Sequence, residues 1–338
     1  MVWMLRWAIV GTSPISHTMA KAISLSPGST IAAVTGRDRT RLDTFCDAHG
    51  VDRRYLSLAE TLGDPDVDVV YVATPNHVHH EAVIAAAAAG RAVLCEKSLA
   101  VSMNQTWQLV DSVRSRVFFA EGLMYLAHPV IARFLEVLID GRLGEIKFIS
   151  GAYAADISRF VNPKGRGVIY NLGCYPASLV QLVVDSVWGD GAFDHHELTA
   201  LGTVSPVDGN ICETAVSLRF SCGAMAVIQS AETYGMAASF EVHGTNGILA
   251  FVTNPWLPLA GENTFRWLPF SGAAEEFNVH ATLDAFDHQV RMVETCVAAG
   301  RLEPSRPSPR IRDSVALMGL LTSWEMSALG DSMELSDL

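Results

Sequence analysis

The sequence lacks three features that would each have defined a class of protein. Its six cysteines include no C-x-x-C pair, which excludes the usual zinc-knuckle and thioredoxin-type motifs. No apolar run approaches the roughly 18 residues of a membrane-spanning helix. The 338 residues hold 24 Lys and Arg against 36 Asp and Glu, a net charge of −12. This acidity argues against nucleic acid or an anionic membrane as the main partner.

The N-terminal apolar stretch is short, and no small-residue cleavage site follows it. The sequence therefore predicts a cytoplasmic protein, and its cysteines are expected to be buried free thiols in a reducing compartment.

Apolar runs typical of parallel strands alternate with helical patterns in the first third of the chain. The predicted strands cover residues 7–10, 30–35, 67–73, 92–95 and 117–120. The predicted helices cover residues 15–24, 39–49, 79–89 and 103–114. This alternation predicts right-handed βαβ units, and so an α/β domain over residues 1–121 with a doubly wound parallel sheet of the Rossmann type.

The pattern changes after about residue 122. Helices are predicted at 129–140, 175–184, 283–299 and 313–328, and strands at 213–220, 224–230, 239–243 and 248–252. Strands next to one another in sequence favour an antiparallel sheet with helices on one side. We predict a second, α+β domain over residues 122–338 with an open, mostly antiparallel sheet, whose terminal helix can pack back on the first domain.

The turn after the first strand is a candidate phosphate-binding loop. A dinucleotide fingerprint reads G-x-G-x-x-G or G-x-G-x-x-A, and here only its first glycine is present, with serines at the other two positions. Serine is small, and the N-terminus of the following helix still offers unpaired N–H groups. A plain tight turn is the alternative. The candidate cofactor-binding residues are Gly11, Thr12, Ser13, Pro14 and Ile15.

The end of the second strand indicates which dinucleotide is bound. An NAD-selective site usually has an acidic residue there for the ribose, whereas this chain has Arg37. A guanidinium can bind a 2′-phosphate, which a carboxylate would repel. We therefore predict NADP(H) as the preferred cofactor and NAD(H) as the second choice. A solvated basic loop is the alternative, and Asp38 would serve the ribose if the strand ended later.

Two polar segments follow the third and fourth predicted strands, at residues 73–81 and 89–97. Open α/β sheets bind ligands at the carboxyl ends of their strands, so both segments are expected at one edge. The three histidines of the first segment have poor spacing for a shared metal ion, and no metal site is predicted. The candidate cofactor-binding residues here are Thr74, Pro75, Asn76, His79, Glu96 and Lys97.

Lys97 follows Glu96 at the end of a buried strand. Burying a lysine costs free energy unless its ammonium is paired or takes part in chemistry. From the dipeptide alone, a functional lysine and a structural ion pair remain equal alternatives.

Taken together, these motifs resemble the glucose–fructose oxidoreductase/inositol dehydrogenase/MocA family of NAD(P)-dependent enzymes. The resemblance covers essentially the whole chain. It rests on the Gly11 turn, on residues 73–81 and 89–97, and on residues 121–129 and 171–175. Residues 244–247 and the helix from residue 313 add to it. The common spacing of these motifs is specific, whereas any one of them alone is not.

The resemblance implies a Rossmann domain followed by an α+β domain whose open sheet often buries a subunit interface, and hence a homodimer or homotetramer. It also implies hydride exchange between a nicotinamide and a hydroxyl or carbonyl carbon, commonly of a sugar. Lys97 matches a lysine near the reacting oxygen, where an ammonium stabilises alkoxide charge. Tyr175 matches a His or Tyr position, and a phenol beside a lysine cation can pass a proton. A half-buried aromatic at a helix start is the alternative for Tyr175.

The sequence departs from the family pattern at four positions. Ser98 replaces a proline, which is expected to loosen the turn that aims the preceding lysine. Asn171 replaces an aspartate, and an amide can orient a substrate hydroxyl but carries no charge. Leu126 replaces an arginine, and Arg166 either reaches an acidic or phosphorylated substrate or faces solvent. The substrate pocket is therefore expected to differ from that of a standard inositol or glucose dehydrogenase.

The predicted function is NADP(H)-dependent hydride transfer to or from a sugar, a sugar derivative or a cyclic diol. Lys97 and Tyr175 would carry out the polar catalysis and Asn171 would orient the small, carbohydrate-like substrate. Two alternatives stay open. One is a non-catalytic, cofactor-binding regulator of the same fold, and the other is an enzyme that cleaves glycosides by transient oxidation with bound NAD.

Overall fold

The computed structural model describes residues 4–330 of the chain, and these residues form two compact units. The first unit comprises the chain up to Ala127 together with Ala285–Ser314. The second comprises His128–Asp284 and the chain from Val315 onward. The domain boundary after residue 121 stays a prediction. Residues 1–3 and 331–338 of the two predicted domains lie outside the described residues.

The first unit is built on a parallel sheet. Its strands are β1 (Leu5–Val10), β2 (Ser29–Thr35), β3 (Arg54–Tyr55), β4 (Val69–Val72), β5 (Ala92–Glu96) and β6 (Phe119–Gly122). Their order is β3-β2-β1-β4-β5-β6, with every pairing parallel. This is the doubly wound order. Successive strands are added toward one edge from β1 to β3 and toward the other edge from β4 to β6, so the switch point lies between β1 and β4. The predicted fold of the first part of the chain is confirmed.

The second unit is built on a larger, mostly antiparallel sheet. Its strands are β7 (Ile146–Ala154), β8 (His196–Val204), β9 (Ile211–Phe220), β10 (Met225–Ala231), β11 (Ser239–Gly244), β12 (Gly247–Phe251), β13 (Gly261–Pro269) and β14 (Glu275–Ala281). They lie in the order β14-β13-β12-β11-β7-β10-β9-β8, and within this sheet, over the described residues, only β7 and β10 pair in parallel. This confirms the predicted open, mostly antiparallel sheet.

The helices surround these sheets within each unit. They are α1 (Pro14–Leu25), α2 (Arg39–His49), α3 (Leu58–Leu62), α4 (His79–Ala88), α5 (Met103–Val113), α6 (Pro129–Ile139), α7 (Cys174–Trp188), α8 (Ala285–Ala298) and α9 (Ile311–Leu329). In the part of the chain that the structure describes, none of them combines the length and the apolar character that a membrane span requires.

Local signals define the ends of α2, which begins and ends at the predicted residues. The carboxylate of Asp38 accepts a hydrogen bond from the backbone N–H of Arg41 at 2.9 Å, which caps the N-terminus. Gly50 follows the helix with φ +66°, the left-handed conformation that ends many helices.

A contact between distant residues joins α8 to the first sheet. The carboxylate of Glu294 accepts hydrogen bonds from the hydroxyls of Ser26 and Ser29, at 2.6 and 2.5 Å. Val290 and Val293 of the same helix are buried in the core around Trp7. Residues of α8 therefore complete the first core, although they follow the second sheet in sequence.

Sequence reasoning does not predict six of these elements: β3, α3, β7, β8, β13 and β14. The first two are very short. Gly151 interrupts the apolar alternation of β7, and most residues of β8 are exposed. Such strands depend on their neighbours in the sheet rather than on a local apolar pattern.

The cysteines of the chain are unpaired in the structure. The prediction that all of them are buried is wrong for Cys222, which is exposed in the turn between β9 and β10. A hairpin turn extends beyond the elements that cover the sheet.

Candidate functional site

Position 11, in the turn after β1, has room only for glycine. Gly11 has φ +112°, and a Cβ there would lie 2.6 Å from the carbonyl oxygen of Ala73. Its N–H donates to the carbonyl of Thr35 at 2.9 Å. The glycine thus lets the turn pass close to the residue that follows β4, while β2 holds its backbone.

We expect Gly11→Ala to lower the free energy of unfolding by about 1–2 kcal/mol more than Gly50→Ala. Both substitutions place alanine in a left-handed conformation, but a Cβ at Gly50 meets nothing within 4 Å. Urea unfolding of the two variants measures the difference. Equal losses would show that the approach to Ala73 imposes no constraint.

Ser16, at the third fingerprint position, helps to fix the start of α1. Its hydroxyl accepts a hydrogen bond from the N–H of Ser13 at 3.3 Å and lies 3.2 Å from the Ser13 hydroxyl. Ser16 is fully buried. The serine at this position therefore gives the loop internal hydrogen bonds that glycine could not make.

A cavity of about 660 Å³ lies at the carboxyl edge of the first sheet, within the first unit. Of the sequence candidates, Gly11, Thr12, Ser13, Arg37, Thr74 and Pro75 line it. Pro14 and Ile15 belong to the first turn of α1. The predicted roles of Pro14 and Ile15 in cofactor binding stay predictions.

The charged side chains at the end of β2 differ in their partners. Asp38, Arg37 and Arg41 all line the cavity. The Asp38 carboxylate is held by the N-terminus of α2. Arg37 and Arg41 are exposed, and within residues 4–330 neither side chain forms an ion pair or hydrogen bond. Arg39, by contrast, pairs with Asp43 at 2.9 Å. Two cations are thus available at the cavity, while the nearby carboxylate is engaged.

The segment after β4 combines an available hydroxyl with a structural histidine. The Thr74 hydroxyl oxygen is buried and has no hydrogen-bond partner among the described residues. His79 is buried, with Nε2 at 2.7 Å from the carbonyl of Thr74 and Nδ1 at 3.0 Å from that of Ser98. Burial lowers the pKa of His79 to about 4. A neutral imidazole has a single N–H, so the ring contacts the segments after both β4 and β5 but donates a hydrogen bond to only one of the two carbonyls. Asn76 adds a weaker link, since its Nδ2 donates to the Ser98 hydroxyl at 3.4 Å.

Lys97 is half-exposed directly after β5, and the peptide bond that follows it is cis. The preceding residue, Glu96, is buried and accepts a hydrogen bond from the hydroxyl of Tyr71 at 2.6 Å. Burial raises the pKa of Glu96, and the hydrogen bond from Tyr71 opposes this change. Because Lys97 follows the carboxyl end of β5, it lies at the same edge of the sheet as the turns that line the cavity.

Glu121 is a residue of this region to which sequence reasoning assigns no role. It lies on β6, is 1% exposed, and accepts a hydrogen bond from the N–H of Leu99 at 3.0 Å. Burial raises its pKa to about 7. The carboxyl group therefore holds the backbone two residues beyond Lys97. A polar residue inside an otherwise apolar strand was the available signal.

Tyr175 and Asn171 lie in the second unit. Tyr175 is in the first turn of α7 and is 6% exposed, with its ring 5.2 Å from that of Tyr153. Asn171 lies in the π-helical turn Ile169–Gly173 that precedes α7. Its Nδ2 donates to Oε2 of Glu232 at 3.0 Å. The structure thus brings a glutamate that sequence reasoning did not single out next to the asparagine.

Arg166 has a partner that neither sequence expectation included. Its guanidinium pairs with the carboxylate of Glu325 on α9, at 2.8 and 2.9 Å. The hydroxyl of Tyr170 donates to the same carboxylate at 2.9 Å. Arg166 therefore has a partner inside the second unit, which only the tertiary fold provides.

The doubly wound sheet, the glycine turn and the cavity beside it define a dinucleotide-binding protein. The family model described as an oxidoreductase family with an NAD-binding Rossmann fold matches residues 5–118. The model of the GFO/IDH/MocA C-terminal domain matches residues 131–250. The chain belongs to the Gfo/Idh/MocA family of oxidoreductases, which confirms the resemblance seen in its motifs.

Relatives span nearly the whole chain. The trans-1,2-dihydrobenzene-1,2-diol dehydrogenase of Sus scrofa is 28% identical over 312 residues, 88% of this chain and 90% of that protein. KijD10, a 3-ketoreductase from Actinomadura kijaniata solved with NADP, is 22% identical with a TM-score of 0.81, covering 96% and 97% of the two chains. A levoglucosan dehydrogenase solved with NADH and levoglucosan is 19% identical with a TM-score of 0.79, covering 97% and 98%. The two structures share the fold of this chain.

Proposed function

We propose that this chain is an NADP(H)-dependent oxidoreductase that transfers a hydride to or from a hydroxyl or carbonyl carbon of a sugar, a sugar derivative or a cyclic diol. The observation that carries the cofactor preference is the pair of available arginines, Arg37 and Arg41, beside the cavity. Their guanidinium groups suit a 2′-phosphate. Asp38 lines the same cavity, and its Oδ1 accepts from the N-terminus of α2, so it is the competing partner for a ribose.

The residues around the cavity fit a dinucleotide. The Gly11 turn leaves room for a close approach, and the start of α1 suits a pyrophosphate. The unpartnered hydroxyl of Thr74 is a further polar group that a ligand would satisfy. When bound, the nicotinamide supplies or accepts the hydride.

The polar steps fall to three side chains. The ammonium group of Lys97 stabilises negative charge on the substrate oxygen. The hydroxyl of Tyr175 passes a proton to or from that oxygen. The amide of Asn171 orients a neighbouring substrate hydroxyl. The likeness to dihydrodiol dehydrogenases supports a cyclic diol as one substrate class.

We further propose that the protein is a homodimer or homotetramer associated through the second sheet. Its outer face carries apolar residues in one register row: Leu268 pairs with Ile248, and Met225 pairs with Phe148. Leu268 is 37% exposed and Met225 is 45% exposed. Covering this face would remove apolar surface from water.

We expect NADPH to bind at least about 10-fold more tightly than NADH, a difference of about 1.4 kcal/mol. Calorimetric titration with each dinucleotide measures this preference. Arg37→Ala should weaken NADPH binding by about 10-fold and leave NADH binding nearly unchanged. Arg39→Ala is the matched control, because Arg39 pairs with Asp43 and does not line the cavity.

Tighter binding of NADH would contradict the proposed preference and identify Asp38 as the ribose partner. If neither dinucleotide bound, the loop would have lost its function and a non-enzymatic role would become the better hypothesis. Binding without net oxidation or reduction of NADP(H), together with glycoside cleavage, would favour the glycoside-cleaving alternative.

A further inference from the structure

Asn171 and Glu232 come from separate parts of the second unit and meet side chain to side chain. Asn171 precedes α7, whereas Glu232 directly follows β10, 61 residues later. Glu232 is 3% exposed, and its backbone is held on both sides: its N–H donates to the carbonyl of Cys212 at 2.9 Å, and its carbonyl accepts from Ile157 at 3.1 Å. A buried carboxylate thus meets the amide from a fixed position.

This contact defines which end of the amide faces Glu232. The amide directs its Nδ2 toward Oε2 of Glu232, which accepts the hydrogen bond, and its Oδ1 away. Holding the amide in this orientation makes Oδ1 the atom presented on the other side. An asparagine fixed in this way offers an acceptor, as an aspartate would. Burial raises the pKa of the Glu232 carboxyl behind it, and the hydrogen bond from Asn171 opposes this change.

We propose that Glu232 is a positioning residue that acts through Asn171, fixing its amide so that Oδ1 accepts a hydrogen bond from a substrate hydroxyl. This inference rests on the proposed function, in which Asn171 orients the substrate. The asparagine and the buried glutamate thus act as a pair.

Placing an aspartate at position 171 alone is therefore expected to lower activity rather than raise it. Asn171→Asp would place two carboxylates at hydrogen-bond distance, where they cannot both be ionised without repulsion. Adding Glu232→Gln would restore the contact with its roles reversed, because the glutamine amide can donate to the new carboxylate. The single substitution should therefore harm turnover and the double substitution should repair it.

The experiment measures kcat and KM for wild type, Glu232→Leu, Glu232→Gln, Asn171→Asp and the Asn171→Asp/Glu232→Gln double variant, with NADPH and a carbonyl substrate that the wild type reduces. Glu232→Leu, which removes the acceptor, and Asn171→Asp should each lose about 10- to 100-fold in kcat/KM, the size of one charge-assisted hydrogen bond. Glu232→Gln keeps an oxygen that accepts from Nδ2 of Asn171 and should stay within about threefold of wild type. The double variant should return to within about threefold of wild type. Glu213→Gln is the matched control, since that carboxylate, on β9, accepts from Thr233 instead. It should leave kcat/KM unchanged.

Circular dichroism and NADPH binding verify that each variant is folded. Wild-type activity for Glu232→Leu, wild-type activity for Asn171→Asp, or a double variant no more active than Asn171→Asp would each overturn the inference and leave the proposed function standing. A wild type that reduces no sugar ketone or cyclic ketone would overturn the proposed function, and the inference with it.

Discussion

Replacing Lys97 with methionine is expected to lower kcat by about 10²- to 10³-fold, the loss seen when a group that stabilises a developing oxyanion is removed. Methionine keeps an unbranched chain of similar length but lacks the ammonium. Lys97 is half-exposed immediately after β5, so its substitution should leave the sheet intact. The variant should therefore remain folded and bind NADPH within about threefold of wild type.

Steady-state turnover and calorimetric titration of the same preparation test this separation of chemistry from binding. Lys21→Met, an exposed position on α1, is the matched control and should retain wild-type turnover. If Lys97→Met kept more than about a third of wild-type kcat, the lysine would not act on the reacting oxygen. Equal loss of cofactor binding and turnover would show that its main role is to bind the dinucleotide.

The second large effect concerns the pH dependence of stability through Glu121. The pKa of this buried carboxyl is about 7 in the folded chain, against an ordinary value of 4.5. Below about pH 4.5 both the folded and the unfolded chain hold the proton. Between these two pH values the unfolded chain releases the proton while the folded chain keeps it. The contribution of Glu121 to stability is therefore present at low pH and is lost as the pH rises toward 7.

The interval between the two values corresponds to about 3 kcal/mol, at about 1.4 kcal/mol per pH unit. The free energy of unfolding of wild type, relative to Glu121→Gln, should fall by about this amount between pH 4.5 and pH 7.5. Glutamine keeps an acceptor for the N–H of Leu99 but does not titrate. Urea unfolding of the two proteins at several pH values gives the difference.

A matched control shows whether the effect belongs to burial. Glu262 lies exposed on β13, and Glu262→Gln should leave the pH profile of wild type unchanged. A constant difference between wild type and Glu121→Gln across this range would mean that Glu121 ionises normally in the folded chain. The carboxyl would then not be held protonated by burial.

Much of the first unit follows from local sequence. Residues 7–10 of β1 and the whole of β4 are continuous apolar runs because both of their faces are covered, a pattern that needs no knowledge of the partner strands. The ends of α2 are specified by Asp38 and Gly50, each acting on backbone groups within a few residues. The Gly11 turn and Lys97 are likewise indicated by local sequence, because each directly follows an apolar strand pattern.

The asparagine at position 171 was also visible in the sequence, but its partner was not. What the sequence by itself determined was the order of elements, the family and the list of candidate side chains, because these depend on short-range patterns and on the spacing of motifs. The tertiary structure decided which distant groups meet: Glu294 with Ser26 and Ser29, Glu325 with Arg166, and Glu232 with Asn171. Burial and hydrogen bonding between residues far apart in the chain set the charge and orientation of these groups, and no local pattern encodes that pairing.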